Sequence, residues 1–237
     1  MKRPGQFRVG ALMGLKQFVA QALGPYGCAR ASFAQEGEDI ALDRLLEGQK
    51  NGFYVDVGCH HPFRFSNTYL FYRRGWSGIC IDPLPGTAKL FGKWRKRDRV
   101  IETGVSQAPA ELTYHMFDEP ALNTFDAALA EERARQTRYR VVKSTKVPTD
   151  TLANILNRNA SAVRTIDFLT VDVEGLDLEV LQSNDWQRYR PRIVLVECLS
   201  RDLAAIPGDP TARFLAEVGY VPHAKTGNSV IFVERPS

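Results

Sequence analysis

Tyr220-Val221-Pro222-His223-Ala224-Lys225-Thr226-Gly227-Asn228-Ser229-Val230-Ile231-Phe232-Val233-Glu234 is two β-like runs joined at Lys225-Thr226-Gly227-Asn228. Gly-Asn between two such runs is a hairpin signal, so the last two strands are expected to lie antiparallel. Upstream of this hairpin the chain reads differently. Apolar runs alternate with helical patterns from residue 36 onward, which is the signature of α/β layering.

The expected elements follow in order. A helix Glu36 to Leu46 precedes the short buried strand Gly52-Phe53-Tyr54-Val55-Asp56-Val57-Gly58 and its glycine turn. Helix Ser66 to Arg74, strand Ser77 to Asp82, helix Thr87 to Lys96 and strand Arg99 to Val105 come next. Residues 106 to 148 are the least regular part. There Glu111 to Phe117 and Tyr139 to Val147 read as extra strands beside the third, around a helix Phe125 to Gln136. A capped helix to Asn157, strand Ile166 to Val171, helix Leu176 to Trp186, strand Arg192 to Glu197 and helix Thr211 to Val218 lead into the hairpin. A plain dinucleotide-binding fold would end on another parallel strand. A doubly wound, mostly parallel sheet finished by an antiparallel hairpin resembles the Rossmann-like class I methyltransferase fold, an analogy of fold that says nothing of chemistry by itself.

The 237 residues, 44% hydrophobic and 24% charged, suit one domain with a short appendage and exclude disordered or collagen-like chains. A formal charge of +4, split as 31 basic and 27 acidic residues, does not demand a nucleic-acid partner. The four cysteines, Cys28, Cys59, Cys80 and Cys198, have no zinc-like spacing, and a cytoplasmic location is the expectation. Val9, Leu12, Met13, Lys16, Val19, Ala20 and Leu23 fit helical spacing better than a signal peptide. Residues 1–31 are therefore expected as an amphipathic extension and 32–237 as the main domain, with membrane-surface contact through 9–23 as the alternative use.

Open α/β sheets bind ligands beyond the carboxyl ends of their strands. Polar residues expected there are Asp56 and Gly58, Asp82, Thr103 and Gly104, Asp172 and Glu174, and Glu197. Asp82 stands 82 − 56 = 26 positions after Asp56, compatible with the roughly 20-residue spacing of a ribose-binding acid. The turn Asp56-Val57-Gly58-Cys59-His60-His61-Pro62 lacks the glycines of a pyrophosphate loop, and its acid repels phosphate but tolerates a cationic cofactor. A turn-capping role for Asp56 is the plain alternative.

Five stretches, in order, resemble the motifs of FkbM-type methyltransferases. They are Ser32 to Asp39, Phe53 to Tyr69, Gly75 to Pro83, Phe117 to Phe125 and Ile166 to Gly175. The resemblance spans about residues 32 to 234 and implies methyl transfer from S-adenosylmethionine, usually to a hydroxyl oxygen. It implies that Asp56 and Gly58 border the methionine part of the cofactor, that Asp82 holds the ribose, and that Glu102, Thr103, Gly104 and Val105 lie beside the adenine. Gln35 and Glu36 would belong to a lid over the cofactor.

Methyl transfer to an alcohol needs alignment of donor and acceptor and a base or metal to deal with the hydroxyl proton. Asp172 and Glu174 are the candidate catalytic acids, with His60 as the other candidate base. Asp172 and Glu197 are candidate ligands for Mg²⁺. Glu174 could instead serve the dipole of the following helix, and Glu197 could pair with an arginine. Two basic stretches, Lys93 to Arg97 and the Arg133, Arg135, Arg138, Arg140, Lys143 series, read as a solvated helix end and an outer strand face. The expected partner is a small-molecule or glycan substrate with a hydroxyl acceptor. An RNA methyltransferase and a non-catalytic cofactor-binding protein are the alternatives. Oligomeric state is not legible.

Overall fold

The short apolar runs of the main sheet read as continuous hydrophobic blocks rather than alternations because most of them, the edge run Arg99–Ile101 apart, are buried on both faces. In the computed structural model, which describes residues 29–161, 163–200 and 202–235, these runs are β1 (Phe53–Val57), β2 (Ser77–Ile81), β3 (Arg99–Ile101), β7 (Phe168–Val171) and β8 (Ile193–Glu197). With β9 (Tyr220–Lys225) and β10 (Ser229–Glu234) they form a seven-stranded sheet ordered β3-β2-β1-β7-β8-β10-β9. All neighbours through β8 are parallel, while β10 runs antiparallel between β8 and β9. This is the class I methyltransferase order, with the terminal hairpin added at the sheet edge so that β10 lies between β8 and β9. The expected amphipathic extension and its membrane contact at residues 9–23 lie outside the described residues.

Helices α1 (Glu38–Leu45), α2 (Tyr69–Arg73), α3 (Thr87–Trp94), α5 (Leu152–Asn159), α6 (Asp177–Gln182) and α7 (Pro210–Glu217) accompany the sheet, and α4 (Ala127–Gln136) lies in the irregular region. Their starts follow from local capping: Asp126, Thr151 and Asp209 accept backbone N–H groups at the first turns of α4, α5 and α7. One core layer joins Val55, Val57, Leu169, Val171, Val194 and Val196 to Leu152, Leu156, Val180 and Leu215. On the other face Tyr54, Phe71, Trp76, Phe91 and Phe168 pack with Leu42 and Leu46.

Two expectations change. The run Arg99 to Val105 is not one strand: it breaks after Ile101, and β4 (Gly104–Val105) leaves for a second sheet. The extra strands, β5 (Ala110–Phe117) and β6 (Val141–Asp150), do pair with each other, but in that second sheet, ordered β4-β6-β5, and not beside β3. The physical cause sits at Gly104, where a side chain would stand 2.6 Å from the Phe125 ring; the bare backbone lets β4 enter under that ring and pair with β6.

Candidate functional site

The carboxyl ends of β1, β2 and β7 open onto a cavity lined by Val57, Gly58, Ile81, Asp82 and Asp172 among others. Two turns meet at its base. Gly58 has φ +85°, and a Cβ there would overlap the Asp172 carbonyl oxygen and stand 2.8 Å from its carbonyl carbon. Only glycine allows this approach at this angle. The Gly58 N–H donates to Ile81 O (2.9 Å) and Asp172 N–H to Val57 O (3.0 Å), so the sheet ladder continues into both turns.

Asp82 lies in this cavity with both carboxylate oxygens engaged: it accepts from the His60 N–H and the Leu84 N–H, each at 2.8 Å. Burial outweighs those two bonds and raises its carboxyl to about 6. Thr103, Gly104 and Val105 line the same wall, and Gln35 borders it from the N-terminal side. His60 is also at the wall, in a left-handed conformation (φ +48°), with Phe65 (φ +55°) stacked beside it. Burial, then the Arg64 guanidinium and His61, lower the His60 imidazole to about 4. It is neutral near pH 7 and too weakly basic to match a general base working there.

Two residues expected at the cofactor are elsewhere. Asp56 precedes Val57 in β1, so alternation turns it to the opposite face, where it accepts from Thr68 Oγ1 (2.7 Å). Thr68 in turn accepts from Arg95 (2.9 Å), which is wholly buried and ion-paired with Asp98 at 2.6 Å. Arg95 also donates to Tyr54, Ser66 and the Pro62 carbonyl, so it braces the loop that carries His60 and Phe65. The basic stretch Lys93 to Arg97 is therefore not uniformly solvated. Glu102 does not line the cavity either: it is exposed and accepts from the Gly86 and Ala88 N–H groups, capping α3 from a distance.

Asp172, Glu174 and Glu197 come together, with ligand-type oxygens within 4.8 Å of one another. Glu174 is held at φ +58°, a conformation that costs energy for a side-chain-bearing residue and persists only where neighbours enforce it. The neighbours come from the irregular region: Thr124 Oγ1 donates to the Glu174 carbonyl (2.7 Å), and Arg133 pairs with its carboxylate while donating to Leu122 O (3.0 Å). Arg133 is thus mostly buried in the site, and not on the outer face that its sequence context suggests. Asp177 accepts from the Val173 and Gly175 N–H groups and braces the same turn from below, with its carboxyl raised to about 7 by burial and by Asp172. Burial, then Glu174 and Glu197, push the Asp172 carboxyl well up, and burial with Glu174 and Asp177 raises Glu197 to about 8. Closely spaced acids cannot all ionise freely, and each strengthens its neighbours' hold on a proton.

A second cavity adjoins the first across Gln35, Phe65, Asp172 and Glu174, and adds Glu36, Glu38, Asn67, Arg133 and Glu197. Glu36 borders this second cavity, not the first, and accepts from the Asn228 N–H of the terminal hairpin. Sequence reading missed Phe65, Tyr114, Asn123, Phe125 and Arg133 at these walls; the only available signal is that Phe65, Asn123 and Phe125 fall within the quoted motifs. Of the second basic series, Arg135, Arg138, Arg140 and Lys143 are exposed, and Arg140 is spent on carbonyls of residues 134, 137 and 139.

In chain path the protein is similar to several solved methyltransferases. One from Geobacter sulfurreducens is 12% identical, with 97% of each chain covered and a TM-score of 0.46. The Burkholderia thailandensis 1,6-didemethyltoxoflavin-N1-methyltransferase, solved with bound 1,6-didemethyltoxoflavin and S-adenosylhomocysteine, is 11% identical over 100% of this chain and 94% of that one (TM-score 0.44). An O-methyltransferase from Bacillus cereus in complex with SAH is 10% identical over 95% and 91% (TM-score 0.44). A comparison with curated proteins finds no match. The model of the methyltransferase FkbM domain, in contrast, matches residues 56–222, which hold both turns at the cavity base, Asp82 and the whole carboxylate cluster. The chain belongs to the FkbM family of S-adenosylmethionine-dependent methyltransferases.

Proposed function

We propose that this enzyme methylates a hydroxyl oxygen of a small-molecule or glycan acceptor. The observation that carries the reading is that two cavities meet at Asp172 and Glu174. The first has the mixed polar and apolar lining of a cofactor site, and its residues fit S-adenosylmethionine: Asp82 for the ribose, and a base free of pyrophosphate-binding features. The second, rich in carboxyls, suits a hydroxylated acceptor, whose O–H groups donate to carboxylate oxygens. At their junction Asp172 would take the acceptor proton as the new C–O bond forms and the C–S bond breaks, leaving a methyl ether and S-adenosylhomocysteine. Burial and the neighbouring carboxylates raise its affinity for a proton, which favours taking one from the acceptor. Glu174, neutralised by Arg133, and the strained turn around it hold Asp172 in register.

An all-oxygen set also fits Mg²⁺, which Asp172 and Glu197 would hold, Glu174 being engaged by Arg133; the ion would lower the pKa of the acceptor hydroxyl. Cys59, Cys80 and Cys198 are free and buried, which supports cytoplasmic residence. Among the described residues no helix is long and apolar enough to cross a membrane.

Asp172→Asn is expected to abolish turnover and to keep calorimetric binding of S-adenosylmethionine. Wild-type turnover in that variant would remove Asp172 from the chemistry, and full activity in excess chelator would remove the metal. Labelled cofactor incubated with glycan extracts identifies the acceptor; label entering only RNA would overturn the proposed acceptor class.

A further inference from the structure

The segment between β4 and β6 serves the acceptor side through Arg133 and Thr124, and another part of it faces the first cavity. Tyr114 on β5 is 5% exposed, and its ring packs on Phe125 (centroids 4.8 Å apart) in a small apolar cluster that includes Leu84. Leu84 and Phe125 both line the first cavity, so this cluster is its apolar end. Tyr114 lines it as well, with Asp82 and Glu174 near enough for their charges to act on its phenol. Beside it, Asn123 is 6% exposed. Its Oδ1 accepts from the Phe117 N–H (2.7 Å), while its Nδ2 makes no hydrogen bond of proper geometry and bears on the Tyr114 hydroxyl.

A buried amide nitrogen without a hydrogen bond is costly unless a ligand completes its surroundings, and this one stands beside the Tyr114 phenol at the apolar end of a cavity whose rim carries Asp82. We propose that the Tyr114 hydroxyl, backed by the Asn123 amide, contacts the adenosine part of bound S-adenosylmethionine. This rests on the proposed cofactor site and extends it. A flat purine has π-faces that pack on Leu84 and Phe125, and ring nitrogens and ribose oxygens that accept from a phenol O–H. The phenol stays protonated, because burial holds its pKa far above neutrality, so it remains a donor at every working pH. The inserted sheet then builds the nucleoside wall as well as the acceptor wall.

Tyr114→Phe removes one oxygen and keeps the ring, so its melting temperature should match wild type. Calorimetry with S-adenosylhomocysteine and with 5′-methylthioadenosine, which keeps the nucleoside and lacks the amino-acid end, should show both weakened about 5- to 10-fold, the worth of one hydrogen bond. Asn123→Asp, which keeps the Oδ1 acceptor and deletes the amide donor, should weaken the same two ligands. Unchanged affinities in Tyr114→Phe alongside normal wild-type binding would overturn the inference and leave the cofactor site standing. A changed acceptor KM with unchanged ligand affinities would overturn it too. Wild-type protein that binds neither ligand would remove the cofactor reading itself.

Discussion

Gly58→Ala tests the contact on which the two turns at the base of the first cavity depend. Two costs add. At φ +85° an alanine pays the left-handed penalty, about 1–2 kcal/mol. Its methyl also has no room: the Asp172 carbonyl carbon would be 2.8 Å away and its oxygen nearer, with Val173 Cγ1 at 3.5 Å. Backbone, unlike a flexible side chain, yields only by moving the whole turn, and overpacking of this kind costs a further ~1–3 kcal/mol. The sum is roughly 2–5 kcal/mol. Gly86→Ala is a matched control. Gly86 has φ +96°, and an alanine methyl there would meet nothing within 4 Å, so only the conformational cost of about 1–2 kcal/mol applies. Urea unfolding of both variants gives the difference directly. Because the displaced carbonyl belongs to Asp172, Gly58→Ala should also lose affinity for S-adenosylhomocysteine, while Gly86→Ala keeps it. Equal destabilisation of the two variants would refute the close approach.

Other outcomes follow from the buried charges. Glu197, raised to about 8, keeps a proton in the folded state that the unfolded chain releases near pH 4.5. Stability must therefore fall as pH rises between those values. Glu197→Gln should flatten that decline and be more stable than wild type at pH 8 by on the order of 1–3 kcal/mol; parallel stability–pH curves from urea titrations would contradict it. Arg95→Met leaves Asp98 buried without its cation and should cost about 3–5 kcal/mol, part of which Asp98→Asn should restore in the double variant; near-neutral urea unfolding of the single variant would rule out the brace. Arg133→Met removes the cation that opposes proton retention in the carboxylate cluster, so the acid limb of the kcat/KM profile should move up by roughly one pH unit or more. An unmoved limb would separate the cluster from the rate-determining proton.

The main sheet is readable because each of its strands is short, apolar and closed by a turn residue, and the Gly227-Asn228 turn identifies the antiparallel end. The second sheet is not, since the break after Ile101 depends on Gly104 meeting Phe125, a contact between residues 21 apart. Among site residues, Gly58, Asp82 and Asp172 follow directly from their places at strand ends. Asp56 does too, but one residue of alternation turns it away from the cleft. Arg95 and Arg133 look solvated in their local context, and their burial depends on partners brought by other elements. Glu102 shows the reverse error: an acid placed correctly at a strand end, but used by a neighbouring helix.

The departure of β4 from β3 has a thermodynamic consequence. Thr103 to Val105 face the first cavity, yet β4 hydrogen-bonds to β6, whose sheet continues into the segment that grips Glu174. One short piece of chain thus lines the first cavity and is hydrogen-bonded to the sheet that leads to the Glu174 turn. On the proposed assignment of cofactor and acceptor to the two cavities, any free energy that cofactor binding stores in that piece would alter acceptor affinity, and linkage requires the return effect to be equal. Gly104 and Val105 are where such a coupling between the two proposed ligands would pass.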